Sequence, residues 1–258
     1  MAQPLRKTGE VGVFRLGNRG ITLVEIVISA SIFVLVLATA LGVYNVSLRL
    51  YQKDMARNVA NGQVQTGAHY IERDIRNGAA VLASFGSIAT GTHSIVLSAP
   101  SYNSSGVIDS TFDTIVYRVN SSNVLVRTTA ANALSLRANE TNRPLARGVT
   151  SLNLTYKVHD FFTADGSTLS FTLNAPWSST PTCRLNGATT AFSYNTTTHT
   201  ASFTSPPASG AQIEFAYMID PAVSSSLALV SEVAVQIQTT SEDNVASCQV
   251  VSSARLRN

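Results

Sequence analysis

Residues that carry chemistry are scarce in this sequence. The two cysteines, Cys183 and Cys248, lack the paired C-x-x-C spacing of a zinc site. The four histidines, His69, His93, His159 and His199, stand in unrelated contexts, with no H-x-H or i, i+4 pair to hold a metal, and read as surface residues. No G-x-S-x-G elbow, P-loop or pair of catalytic carboxylates is present. The expectation is therefore a protein that is not an enzyme and has no cofactor. Charge is also sparse, and the net +3 does not make a nucleic-acid footprint. Arg6, Lys7, Arg15 and Arg19 against Glu10 place the whole excess before Ile21, leaving 14 basic against 14 acidic residues in the remainder.

What is present is one long apolar run. From Ile21 to Leu48 only Glu25 is charged, and the run is long enough to cross a bilayer as a helix. Basic residues before it put the N-terminus in the cytoplasm; Arg49, Lys53 and Arg57 behind it make the asymmetry modest. A secretory signal peptide would have a shorter apolar core followed by small residues at a cleavage site, so the segment is expected to be retained. A carboxylate inside such a run is costly, roughly 2.5–3.5 kcal/mol at mid-membrane and less one turn from the end. Glu25 needs a partner.

Past the run, Met55, Val59, Val64, Ala68, Ile71, Ile75, Ala79 and Leu82 recur at helical spacing, predicting one helix over 21–82 whose second half packs on a soluble domain. No proline interrupts it, although Gly42, Gly62, Gly67 and Gly78 weaken it. Beyond residue 85 the chain is rich in Ser, Thr and Asn, with alternating strand patterns such as Thr114–Val119 and Ser151–Tyr156. Turns are expected at Asn103–Gly106, Asn120–Asn123, Asn142–Pro144, Asn186-Gly187 and Pro206–Gly210. The fold class is α+β: a long transmembrane and amphipathic helix on an antiparallel β-sheet head. Cys183 and Cys248, an even pair in an exported chain, are most simply one disulfide, with free buried thiols the alternative.

Gly20-Ile21-Thr22-Leu23-Val24-Glu25, after a short basic leader and before the apolar helix, resembles the prepilin signal of type IV pilins and type II secretion pseudopilins. The resemblance implies cleavage by a prepilin peptidase after Gly20, N-methylation of Ile21, and an assembly role for Glu25 near the N-terminal amine of a neighbouring subunit. Ile21 stands where that family usually has Phe. Tyr70-Ile-Glu-Arg-Asp-Ile-Arg-Asn-Gly-Ala-Ala-Val-Leu82, with weaker likeness in 114–127, 143–158 and the closing Leu256-Arg257-Asn258, is similar to PilW-type minor pilins and J-class minor pseudopilins.

The organisation expected is a leader over 1–20, a pilin helix over 21–82 spanning the membrane at about 21–48, a β-rich head over 83–158, a small β-sandwich insertion over 160–226, and closing head strands over 227–258. The insertion, from Ser167 to Ile219, resembles small β-sandwich modules of surface and phage-type structural proteins. The function implied is a structural minor pilin or pseudopilin at or near a filament tip. Its partners would be the prepilin peptidase, other pilins through the helix, and the bacterial inner membrane, with the head periplasmic or extracellular. The alternative is an anchored module that uses residues 160–226 for adhesion or DNA capture. Three smaller readings remain open. Arg73, Asp74 and Arg76 are an intersubunit ion set or, more simply, a solvated face or a tie to the β domain. Asp160–Gly166 is a polar turn before it is a calcium loop. Trp177 beside Tyr194 is core packing before it is a sugar platform.

Overall fold

The computed structural model of the chain describes residues 21–240 and 247–257, so the leader and Gly20 lie outside the described residues. Two compact units divide the chain at Tyr51. Residues 21–51 are helical from Leu23, and every one of them is exposed. This helix is long and apolar enough to cross a membrane.

Helix α1 (Leu23–Arg76) runs on into the second unit, where Ala60, Val64, Gly67, Ala68, Ile71, Asp74 and Ile75 are buried. The packed stripe begins later than the periodicity predicts, since Met55 and Val59 stay more than half exposed. Gly67 is buried against Leu125, where an added Cβ would lie 2.8 Å from its side chain. Close approach of helix to sheet depends on the missing methyl.

The helix also ends earlier than predicted, at Arg76. Asn77 and Gly78 close its last turn by donating to the carbonyls of Arg73 and Ile75. Gly78 is wedged there, because a Cβ would meet Leu256 at 3.1 Å and the Asp74 and Ile75 carbonyls at 3.2 Å. Residues Ala80–Leu82 then pair with a strand. The apolar spacing of Ala79 and Leu82 fits a helix, but exchanging helical bonds for sheet bonds buries Val81.

The strands in chain order are β1 (Ala80–Leu82), β2 (Ser84–Phe85), β3 (Ile88–Ala89), β4 (Ser94–Tyr102), β5 (Ile108–Val119), β6 (Leu125–Ala130), β7 (Glu140–Ala146), β8 (Val149–Thr163), β9 (Ser170–Thr172), β10 (Thr182–Leu185), β11 (Ala188–Thr189), β12 (Ser193–Asn195), β13 (Thr200–Ser202), β14 (Gln212–Ile219), β15 (Glu232–Thr240) and β16 (Ser247–Arg255), with a short helix α2 (Ser224–Leu227) before β15. All pairings among the described residues are antiparallel. Three sheets have the orders β1-β4-β5-β6-β7, β11-β10-β14-β8-β15-β16 and β12-β13-β9, and β2-β3 is a hairpin. The α+β class and the packing of a long helix on antiparallel sheets therefore hold.

Turn chemistry follows the sequence at Asn123, Gly106, Asn186-Gly187 and Gly210, all with positive φ. Asn142–Pro144 does not form the expected turn. It lies in edge strand β7, where Asn142 takes a φ of 51° and the β6–β7 register shifts. An edge tolerates both the irregularity and the proline.

The expected boundary between head and insertion falls inside β8. This strand pairs with β15 through Val149–Lys157 and with β14 through Tyr156–Thr163. Its inward alternation, Leu152, Leu154, Tyr156, Val158, Asp160, continues without a break because Asp160 is itself buried. Strands β10 and β14 thus extend the same sheet as β15 and β16. The three-stranded sheet closes against that extension through aromatic contacts, with Phe171 centred 5.2 Å from Phe162 and 6.3 Å from Phe215.

Candidate functional site

Ile21, two residues before α1, is 74% exposed, and Glu25 lies in the first turn of the helix. Glu25 Oε2 accepts from the Thr22 amide at 3.0 Å and from the Thr22 hydroxyl at 3.1 Å. The Thr22 hydroxyl in turn accepts from the Glu25 amide at 3.3 Å. This is a reciprocal capping box, satisfying two amides that a helix start leaves open. The T-x-x-E spacing is its signature. It gives the carboxylate a partner within its own chain, which the expectation of a docking charge left out. Residues 21–51 carry no other acidic residue.

At the other end of α1, Asp74 is 5% exposed and forms the centre of a buried network. Oδ2 accepts from the Tyr117 hydroxyl at 2.5 Å and from Arg127 Nε at 2.8 Å. Arg127 reaches on to Glu140 at 2.6 Å, and Glu140 takes Arg143 at 2.9 Å. Burial, then the Asp74 charge and its hydrogen bond, hold the Tyr117 hydroxyl well above its ordinary pKa, so it stays a donor. Of the three residues singled out in sequence, Asp74 ties helix to sheet, Arg73 covers it from a half-exposed position, and Arg76 pairs with Glu72 on the helix surface at 3.7 Å. Glu72 also accepts a hydrogen bond from Ser252 on β16.

Cys183 on β10 is buried, carries no disulfide, and burial pushes its thiol up to about 11. The Cys248 side chain lies outside the described residues. Its backbone pairs with Thr239 on β15, and Cys183 pairs with Phe215 on β14. Sheet order separates the two cysteines by four strand spacings, roughly 19 Å at ~4.8 Å each. A disulfide needs Cα atoms within about 7 Å, so the expected staple is incompatible with this sheet.

The Asp160–Gly166 segment, expected as a polar turn, separates into two roles. Asp160 is buried and accepts from Tyr217 at 2.7 Å and from Asn174 at 2.7 and 2.8 Å. Asp165 instead closes a turn by accepting from the Ser167 and Thr168 amides, and these bonds hold its carboxyl well below the usual range. No group of residues that could hold a metal ion occurs among the described residues. Trp177 is half-buried, with Tyr194, His199 and Tyr217 centred within 6.0 Å, as edge packing requires.

His159 is not the surface residue its sequence context suggests. Its side chain is 9% exposed, on the face of β8 away from the core, in a cleft of about 400 Å³. Nδ1 lies 2.8 Å from Glu214 on β14, and Nε2 lies 3.4 Å from Glu232 on β15. Glu232 is also held by Lys157 at 3.1 Å, with Arg255 at 3.8 Å. No local spacing announces this group, because its members come from four strands that only the pairing register aligns.

Comparison with models of known protein families and with curated protein sequences finds no match to this chain.

Proposed function

We propose that the chain is a structural minor pilin or pseudopilin subunit, processed by a prepilin peptidase and assembled through its N-terminal helix at or near the tip of a type IV pilus or type II secretion pseudopilus. The observation that carries this reading is a helix over residues 21–51 on which no residue is buried and Glu25, one turn in, is the only carboxylate. An apolar surface of that extent requires lipid or other helices around it. In this reading the chain sits in the bacterial inner membrane with its head outside, and assembly moves the apolar helix from lipid into a core of like helices. The role is structural and not enzymatic.

The capping box sharpens the mechanism. Before assembly Glu25 is satisfied by Thr22; on docking, the N-terminal amine of a neighbour provides a full counter-charge in a low-dielectric core, which a neutral amide does not. Gly20→Ala is expected to leave the leader attached, as read by mass spectrometry of the mature N-terminus. Glu25→Ala is expected to be processed normally yet to reach sheared filaments poorly, whereas Thr22→Val, which removes only the hydroxyl part of the cap, should assemble. Normal cleavage of Gly20→Ala would overturn the reading. Equal assembly defects in Thr22→Val and Glu25→Ala would reduce Glu25 to a helix cap.

The alternative, adhesion or DNA capture through 160–226, draws support from the cleft only for a small ligand. Lys157, Arg184 and Arg255 share its lining with Glu214 and Glu232, whereas a nucleic-acid track needs uncompensated cations.

A further inference from the structure

We propose that residues 48–59 of α1 form a membrane-surface segment that docks on anionic phospholipid headgroups, its cations meeting the phosphates and its apolar side facing the acyl boundary. This inference rests on the membrane placement of residues 21–51 proposed above, and it adds the class of lipid that the helix meets as it leaves the bilayer.

The segment carries two exposed stripes on opposite sides of one helix. Leu48, Tyr51, Met55 and Val59 recur at spacings of three and four and are 39%, 65%, 56% and 54% exposed. Arg49, Lys53 and Arg57 recur at a spacing of four, and all are exposed. At about 100° per residue, Lys53 stands roughly 200° from both Tyr51 and Met55, so the stripes face apart. The periodicity assigns Met55 and Val59 to the face packed on the head, yet nothing among the described residues buries them. Their apolar surface calls for another neighbour.

Charge decides what that neighbour is. Over 48–59 three cations stand against one carboxylate, Asp54, and none of the three makes an ion pair among the described residues. A second copy of the helix brings the same excess of cations and repels it, whereas a phosphate-bearing surface neutralises it. Position selects the membrane surface. The apolar run over 21–48 measures about 42 Å as a helix against about 30 Å of hydrocarbon, an excess that a tilted helix accommodates. Tilt turns one side of the next turns toward the bilayer, which suits a segment that is apolar on one side and basic on the other. Tyr44 and Tyr51, 60% and 65% exposed, stand at this end of the run, where interfacial tyrosines sit. The long stems of Arg49, Lys53 and Arg57 let their charged ends reach back to the headgroups.

The test uses the full chain reconstituted into vesicles of phosphatidylcholine mixed with phosphatidylglycerol, with spin-labelled lipids of each class as probes. Labelled phosphatidylglycerol is expected to associate with the protein about fivefold more strongly than labelled phosphatidylcholine, the size of one basic residue's attraction to an anionic surface. Replacing Arg49, Lys53 and Arg57 together by Gln should bring that ratio close to one, and added salt should lower it. Arg147→Gln, which removes an exposed charge of the head, should leave it unchanged. A benzophenone photo-crosslinker in place of Met55 should yield a lipid adduct, identified by its mass. Flotation with the vesicles but without lipid selectivity, a triple variant that keeps the full ratio, or a Met55 adduct to a second copy would overturn the inference and leave the membrane reading standing. Failure to float with the vesicles would overturn both.

Discussion

The two halves of α1 share a backbone conformation and little else. Residues 21–51 bury nothing, whereas Gln52–Arg76 buries a stripe from Ala60 to Ile75. Each half also holds one carboxylate that needs partners. Glu25 finds them three residues away in Thr22; Asp74 finds them 43 and 53 residues away in Tyr117 and Arg127. Helix formation is a local matter common to both halves, and what surrounds the helix is set by the pattern of side chains around its circumference. A uniform apolar circumference calls for a uniform apolar surrounding. A one-sided stripe calls for one sheet, and it tolerates a buried charge only where that sheet brings the countercharge.

The sharpest break in this contrast is Asp74→Ala. It leaves Arg127 buried at 8% side-chain exposure without its main anion, and the expected cost is about 3–5 kcal/mol in urea denaturation followed by Trp177 fluorescence. Arg73→Ala, which removes a half-exposed partner of the same carboxylate, should cost less than about 1 kcal/mol. Comparable losses would show that the network is a surface feature and not the lock between helix and sheet.

Glycine replacements give the next largest difference. Gly67→Ala is expected to destabilise by about 1–3 kcal/mol, because the new Cβ would press on Leu125, itself fully buried. Gly42→Ala has nothing within 4 Å of the new Cβ and should raise helix stability by up to about 1 kcal/mol. Thermal unfolding in detergent reads both. A loss at Gly42 would reveal a close partner against the first half.

The smallest effect concerns whether a half-exposed ion pair carries any of the weight that the buried one does. Burial works against the charge of Glu232, but the hydrogen bond and charge of Lys157, with the nearby His159, hold its carboxyl below the ordinary value. A depressed folded pKa contributes stability above the unfolded value, about 4.3, and loses it as pH falls through the folded one. Unfolding free energy should therefore decline below about pH 4, and Lys157→Met should make that decline shallower. The difference is expected to stay under about 1 kcal/mol, since solvent screens the pair. An unchanged acid profile in Lys157→Met would remove Glu232 from the account.

Much of the fold was legible along the chain. Strand alternation at Thr114–Val119 and Ser151–Tyr156, and turns at Asn120–Asn123 and Asn186-Gly187, are local signals, and the structure places strands and turns there. Two expected boundaries fall in strands. The one at Asp160 lies within β8, where Tyr217 and Asn174 satisfy the carboxylate inside the sheet. Leu82 read as helix because its spacing fits, yet the open edge of β4 captured it as strand. In both cases a distant partner outweighed the local pattern.

By itself the sequence determined the apolar helix and its lone carboxylate, since hydropathy and the T-x-x-E spacing act within a few residues. The periodic face of Val64, Ala68, Ile71 and Ile75 was equally local. Tertiary structure alone decided that Asp74 would be buried, that Cys183 and Cys248 would stand four strands apart, and that His159 would lie between Glu214 and Glu232. Each of these depends on the order and register in which strands pair, and such order is fixed by the summed burial of a whole core, a quantity that no short window of sequence contains.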